Sequence, residues 1–441
     1  MVETFLKFAD LPPDPTDPAA LRTYKELGFN VCLLTEDNVK MVRDGQLSEE
    51  YRQAIENIAE SGMDVWVRNM YNDPDYFECD RQKAGSNYGS PYELPPRKIA
   101  DEIPSVKGFY MADEAYMYQL PKKTSIPWMR DDCDKYASFD QLIKLVDWKN
   151  KYYPNAFWHM NHVPGQSWDH YLPKDGKIYD YKDFLTEYAD VILRRLKNCE
   201  RSLTLDNYPL IGEDYIEKDY LCDLLTAADV VKNYNESVGE TDQAKFGICL
   251  QTFRAKAITD DRCRDITGPE EITFQMYVGM ALGAKMFEYF CYRTFESMLG
   301  ILDADGQKRI YDFVRTANTN ASAMEQKIFP YQYTGAFVVP GEECSENTAA
   351  FVLAKDLFRK DNFLTVSSSH DILVGCLEDG EKKGYLIVNY TDPVRRHTSR
   401  VSVCLQHQQT ASCLLNGREI IAENGHFCLA IEPGNAAFIY Y

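Results

Sequence analysis

From residue 1 to about residue 330 the chain repeats one unit: a short apolar run, a polar turn, then an amphipathic stretch at helical spacing. The strands of this repeat start near Thr4 ("TFLKFAD"), Asn30 ("NVCLLTED"), Asp64 ("DVWVRNMY"), Val106 ("VKGFYMADE"), Asn155 ("NAFWHMNHV"), Ser202 ("SLTLDNYP"), Ala244 ("AKFGICLQTF") and Lys285 ("KMFEYFCYR"). The helices between them read "PAALRTYKELG", "SEEYRQAIENIAESG", a weaker "LPPRKIADEI", "SFDQLIKLVDWKNKYY", "YKDFLTEYADVILRRLKN", "YLCDLLTAADVVKNYN", "GPEEITFQMYVGMALGA" and "GQKRIYDFVRTANTNASAMEQ". Two open on capping boxes, Ser138 with Gln141 and Thr267 with Glu270. Eight alternating units over this length predict an α/β fold, a (β/α)8 TIM barrel, rather than an open doubly wound sheet. The lack of a GxGxxG turn after any early strand agrees with that choice.

After Phe329 the pattern changes to short strands separated by the hairpin signals Asp379-Gly380, Asn416-Gly417 and Asn424-Gly425. The expected division is therefore a barrel over residues 1–330, carrying the chemistry, and a C-terminal all-β sandwich over residues 331–441. The sandwich shows no candidate chemistry, and a stabilising role on the barrel's flank fits it better than a separate sugar-binding module.

Composition narrows the partners. The formal charge is −20, from 48 Lys and Arg against 68 Asp and Glu, and no basic cluster is long enough to follow a phosphate backbone. Nucleic acid and anionic membranes are thus disfavoured, and no apolar run is long enough to span a bilayer. Thirteen cysteines at irregular spacings, with no CxxC, read as small buried residues in a reducing compartment. The expected location is cytoplasmic, or secreted or periplasmic if a leader once preceded "MVETFLKFADLPPD". No cofactor is expected, and the oligomeric state is left open.

Catalytic groups of such barrels stand at the C-terminal ends of the strands, and side chains alternate across a strand. In "GFYMADE" Gly108, Tyr110, Ala112 and Glu114 share one face, opposite Phe109 and Met111, so Glu114 is expected to point inward and Asp113 outward. The same parity turns His159 and Asn161 inward on the next strand, Thr204 and Asp206 on the one after, and Gln251 on the seventh. For Glu288, in "MFEYFCY", the aromatic neighbours leave parity undecided. Taken singly, each acid could be a loop residue satisfying backbone amides. Burying Glu114, His159, Asn161, Asp206 and Gln251 together without a ligand would leave polar groups poorly satisfied, which favours a pocket.

Two other signals are weaker. His159 and His162 form HxxH, but on a strand they face opposite ways, so a shared metal is disfavoured. Trp66 and Trp158 read as core, whereas Trp128 and Trp168 lie in long segments after the fourth and fifth strands, where flat rings could either floor a sugar site or pack a loop. Two carboxylates flanking a bound sugar suffice for glycoside hydrolysis: one protonates the leaving oxygen, and the other attacks or activates water.

The stretches "VKGFYMADEAY", "NAFWHMNHVPG", "LTLDNYPL" and "EEITFQMYVGMALGAKMFEYFCY" together resemble the barrel of bacterial glycoside hydrolases of the large retaining clan that includes β-galactosidases, gut-bacterial members especially. The likeness runs from about Thr4 to Phe329, and the trailing sandwich is similar too. The resemblance implies a carbohydrate substrate, and it makes Glu114 the acid/base with Asp113 at the position where the clan commonly has Asn. It also implies a nucleophilic glutamate ending strand seven, where this chain has Gln251, an amide that cannot form a covalent glycosyl-enzyme. Asp206, ahead of Glu288, is then the expected second carboxylate. Asp113, His159, Asn161, Tyr208, Gln251 and Trp168 are the expected substrate contacts. A barrel that binds carbohydrate without cleaving it is the alternative. Metal-dependent chemistry through His159, Asp206 and Glu114 ranks last, with seven histidines in the chain and no metal-ligand spacing.

Overall fold

The computed structural model of the chain describes residues 4–35, 39, 42–43, 46–68, 105–113, 139–165, 181–212, 215–255, 263–294, 298–359, 363–406 and 410–441. Its central feature is one eight-stranded parallel sheet made of β1 (Leu6–Ala9), β2 (Val31–Leu34), β3 (Asp64–Arg68), β4 (Val106–Asp113), β5 (Phe157–His162), β6 (Arg201–Leu205), β7 (Ala244–Gln251) and β8 (Ala284–Phe290). The order is β1, β8, β7, β6, β5, β4, β3, β2, so every strand lies beside its neighbours in sequence and β8 returns to β1. That is the strand order of a nearly closed (β/α)8 barrel.

The helices α1 (Pro18–Glu26), α2 (Glu49–Glu60), α3 (Phe139–Tyr152), α4 (Tyr181–Val191), α5 (Tyr220–Glu236), α6 (Pro269–Ala281) and α7 (Tyr311–Ile328) alternate with these strands. Their starts follow local chemistry. The Asp17 carboxylate accepts the Ala19 N–H ahead of α1, with Pro18 in the first turn, and Ser48 Oγ accepts the Tyr51 N–H ahead of α2. At α6 the cap sits one residue later than expected. Glu271, rather than Glu270, reaches back, and its Oε2 accepts from the Thr267 and Gly268 amides and from the Thr267 hydroxyl. Pro269 at the first helical position moves the third residue of the helix to Glu271. The expected helix "LPPRKIADEI" and the box at Ser138 lie outside the described residues.

Two compact units divide the chain. The first comprises Leu11–Asp206 with Asn233–Phe246. Within it, the outer face of β5 is fixed by its partners on α4: Trp158 Nε1 donates to the Tyr188 hydroxyl at 3.0 Å, and the His162 ring meets Tyr188 edge-on at 4.3 Å. The inner face begins with Trp66, which stacks on Phe157 at 4.6 Å and lies across Gly108, where a Cβ would come within 2.6 Å of the indole. Gly108 is therefore required by packing.

The second unit comprises Met1–Asp10, Asn207–Lys232 and Gly247–Tyr441. Here β1 pairs with β8, Phe8 beside Glu288. On the outer side, Tyr289 donates to Asn318 of α7 at 2.7 Å, and Lys7 pairs with Glu325 of the same helix. Burial is the larger influence on that pair: it holds the Lys7 ammonium below its ordinary range and the Glu325 carboxyl above its own, while each charge partly restores the other.

From Gln332 the second unit continues as antiparallel sheets. Strands β9 (Gln332–Val339), β10 (Leu364–Ser368), β11 (Ile372–Asp379), β12 (Lys382–Asn389), β13 (Ser399–Leu405), β14 (Ala411–Leu415), β15 (Arg418–Ala422), β16 (His426–Ile431) and β17 (Ala436–Tyr440) form a six-stranded sheet, ordered β9, β11, β12, β17, β14, β15, and a three-stranded sheet, ordered β10, β13, β16. A shared apolar core that includes Val374, Ile387 and Ile439 from one sheet and Val401, Val403 and Leu429 from the other makes this a β-sandwich. The β14–β15 turn holds Asn416 and Gly417 at φ 51° and 72°, the left-handed pair that a two-residue hairpin needs. Among the described residues no helix is long and apolar enough to cross a membrane.

Candidate active site

In the first unit the strand ends stack polar groups in layers above the Trp66 floor. Arg68, the last residue of β3, holds its guanidinium 4.5 Å over the Tyr110 ring, and Tyr110 meets His159 edge-on at 4.4 Å. His159 Nδ1 is hydrogen-bonded to Ser202 Oγ at 2.9 Å. One layer further, Asn161 is level with Thr204, and Asp206 follows just past the end of β6, its N–H donating to the His162 carbonyl at 3.3 Å. His159, Asn161, Thr204 and Asp206 are all buried, and Asp206 retains 8% exposure. The two histidines of HxxH face opposite sides of β5, as their contacts with Ser202 and Tyr188 show. Burial, with His159 as a lesser influence, lowers the His162 pKa to about 3.

Beside this column the ladder of β4 carries an irregularity. Tyr110 pairs with His159, but Ala112 pairs with Met160 and Asp113 with Asn161, so Met111 is an extra residue in the strand. A bulge of this kind re-phases the alternation. The simple count from Gly108 therefore does not carry through to the strand's end, and the backbone of Asp113 stands level with Asn161. Glu114 and Trp168 lie outside the described residues, as does Trp128.

The second unit places the remaining expected residues. Gln251 ends β7 fully buried, and its side-chain amide bridges the backbone of Leu210: Oε1 accepts the Leu210 N–H and Nε2 donates to the Leu210 carbonyl, both at 3.0 Å. Nε2 also reaches the Arg264 carbonyl at 3.3 Å. A second glutamine, Gln275 of α6, does the same for the backbone of Gln251, accepting from its N–H at 2.7 Å and donating to its carbonyl at 3.1 Å. A carboxamide offers a donor and an acceptor side by side, and both positions use the two together.

Glu288 is buried on β8, and the contacts of Phe287 with Phe5 and of Tyr289 with Asn318 put its neighbours on the helix side. Glu288 accordingly takes the inner face, which the aromatic sequence around it had left open. Tyr208 packs edge-on against Phe253 at 4.8 Å and lies near Cys249, with its hydroxyl 3.8 Å from the thiol sulfur. Phe290, the last residue of β8, joins at 5.3 Å from Phe253, so three rings cluster at or just past the ends of β6, β7 and β8.

Sequence reasoning passed over Arg68, Phe253 and Phe290. The available signal for Arg68 is that it is the one cation in "DVWVRNMY". Among the described residues no group of three His, Cys, Asp or Glu is placed to hold a metal.

A parallel eight-stranded barrel with a trailing β-sandwich is a fold that this chain shares with a solved structure. A GH42 β-galactosidase from G. stearothermophilus, solved as a catalytic mutant, is 10% identical and superimposes with a TM-score of 0.52 over 99% of this chain and 98% of that one. A family 39 glycoside hydrolase from Bacteroides cellulosilyticus WH2 is also 10% identical, with a TM-score of 0.49 over 99% of this chain and 80% of that one. A glucosidase from Croceicoccus marinus is 8% identical, with a TM-score of 0.45 over 100% and 96%. No family model and no curated protein sequence matches the chain.

Proposed function

We propose that the protein is a glycoside hydrolase that cleaves an O-glycosidic bond by carboxylate acid/base catalysis, with Glu114 as the proton donor. The observation that carries this reading is the inner polar column of the first unit, Arg68, Tyr110, His159, Asn161, Thr204 and Asp206, which rises toward the strand ends, where the backbone of Asp113 stands level with Asn161. Hydroxyls of a sugar match such a set of donors and acceptors, and Arg68 adds a positive charge stacked on Tyr110. Asp206, on the same unit as Glu114, is the second carboxylate, acting as nucleophile or as base toward water according to the gap between them. Glu288 is the next candidate. In the second unit the Tyr208 and Phe290 rings, both half-buried, offer apolar faces suited to a pyranose.

A specific observation keeps a second reading: the amide of Gln251 stands where the resemblance asks for a nucleophile, and it is committed to Leu210. A barrel that binds saccharide without hydrolysing it needs the polar column and rings but no carboxylate pair. The two readings separate on a panel of aryl α- and β-glycosides assayed with wild type, Glu114→Gln and Asp206→Asn. Hydrolysis by the wild type that falls about a hundredfold or more in each variant supports the proposal. Unchanged activity in Glu114→Gln would sink its role as the acid. Saccharide binding by titration calorimetry with no turnover of any glycoside would favour the binder.

A further inference from the structure

At the opposite end of β6 from Asp206 the first unit contains a cavity of about 270 Å³, bordered among others by Arg194, Lys197, Asn198, Arg201, Tyr234 and Asp242. Its charge balance runs against that of the molecule. In a chain of net charge −20, three cations face this cavity and one carboxylate, Asp242, opposes them. That carboxylate is already engaged, accepting from Arg201 Nη2 at 3.0 Å.

The cations are held in place by the fold. Arg201 is 1% exposed, and its guanidinium donates to the Leu193 and Cys199 carbonyls at 2.9 Å and to the Tyr234 hydroxyl at 3.3 Å. With the Asp242 carboxylate on Nη2 these bonds occupy the guanidinium, so Arg201 acts on the cavity as a fixed charge balanced by Asp242 and not as a free donor. Arg194 lies 5.6 Å over the Tyr234 ring, and one nitrogen, Nη2, serves both Asp190 and Ser237. Lys197 and Asn198 are exposed at the rim, and Asn198 turns the chain there at φ 53°. Behind Arg201 is a further cation, Lys149, 0% exposed and bonded to the Pro154 carbonyl at 2.8 Å. Burial lowers the pKa of that ammonium, Arg201 pushes in the same direction, and Cys199 opposes both.

We infer that this cavity is a binding site for a phosphoryl group, free or carried on a small sugar, with Arg194 and Lys197 supplying charged donors, the Asn198 side chain a neutral one, and the Arg201–Asp242 pair and the Tyr234 hydroxyl, which donates to the Asp242 carbonyl, forming the fixed wall behind them. A tetrahedral oxyanion matches a guanidinium edge and an ammonium, and the volume leaves room for a substituent beyond the phosphate. The site stands on β6 at its first residue, so it is distinct from the strand-end column that serves the proposed hydrolysis, and it does not depend on that reading.

The test uses the full chain and three probes: inorganic phosphate, glucose 6-phosphate, and potassium chloride at matched ionic strength. Thermal melts and titration calorimetry are run on the wild type, on the double variant Arg194→Ala/Lys197→Ala, and on Arg195→Ala, which removes a nearby cation paired with Asp147 outside the cavity. The expected result is saturable stabilisation by millimolar phosphate that chloride does not reproduce, weakened about tenfold or more in the double variant and unchanged in Arg195→Ala. Glucose 6-phosphate binding more tightly than phosphate assigns the site to a phosphorylated sugar, and equal or weaker binding assigns it to the free anion. Stabilisation no greater than that by chloride, or equal loss in both the double variant and Arg195→Ala, overturns the proposal. Circular dichroism of the variants confirms that they are folded, and both substituted residues are exposed.

Discussion

The Gln251 amide shows how much one residue can decide. A glutamate there would set a carboxylate oxygen against the Leu210 carbonyl that now accepts from Nε2, leaving that carbonyl to the 3.3 Å bond from the Arg264 N–H. Gln251→Glu is therefore expected to lower stability by about 2 kcal/mol, measured by urea unfolding, and not to raise hydrolytic activity above that of the wild type. A gain of glycosidase activity in that variant would refute the structural role given to the amide. His162 makes a second residue-level prediction. Its folded-state pKa of about 3 lies below the ordinary 6.5, so between those values the unfolded chain binds a proton that the folded chain refuses. Stability must then fall as pH drops through 6.5 toward 3, by up to about 1.4 kcal/mol per pH unit. His162→Phe, which keeps a ring against Tyr188, should flatten that slope when unfolding free energy is measured across the range. An unchanged slope would remove His162 from the account of acid sensitivity.

At the scale of elements, the sequence disclosed the barrel well because alternation and helical period are local signals. The strand starts at Leu6, Val31, Asp64, Val106, Phe157, Arg201, Ala244 and Ala284 all fall within the quoted runs or beside them. What it could not disclose were features set by a partner strand or a distant segment. Counting by twos from Gly108 fails at Met111, because the extra residue is defined only by the ladder with β5. Gln251 looked like a site residue because its partner, Leu210, is 41 residues away. Glu288 could not be oriented until Tyr289 was seen bonded to Asn318. The inner face of β4 also carries a prediction of its own. Gly108→Ala would drive a Cβ into the Trp66 indole, and the strand or the ring must shift, at a cost of about 1–3 kcal/mol in chemical denaturation. If the alanine variant is as stable as the wild type, the packing of Trp66 across β4 is not as tight as the distances state.

Over the whole molecule, the second unit joins barrel elements to the C-terminal sandwich in part through a largely enclosed arginine. Arg264 grips Asp392 with both terminal nitrogens at 2.6 Å and reaches Glu271 of α6 at 3.2 Å, while its own N–H and carbonyl serve Leu210 and Gln251. Asp392 is 1% exposed, so Asp392→Ala leaves Arg264 with half of its compensation and should cost about 3 kcal/mol in denaturant unfolding. A double-mutant cycle with Glu271→Gln would measure how far the two carboxylates share the load. The sheets approach α6 closely elsewhere as well: Gly375 of β11 lies against the Ala281 carbonyl where no Cβ would fit. A chain ending at residue 330 would strip α6 of that cover and leave the Arg264 charge without Asp392. The same arginine that holds the sandwich also holds the end of β7, so the sandwich acts as a brace for the strand it never joins, and loosening either end of Arg264 should be felt at the other.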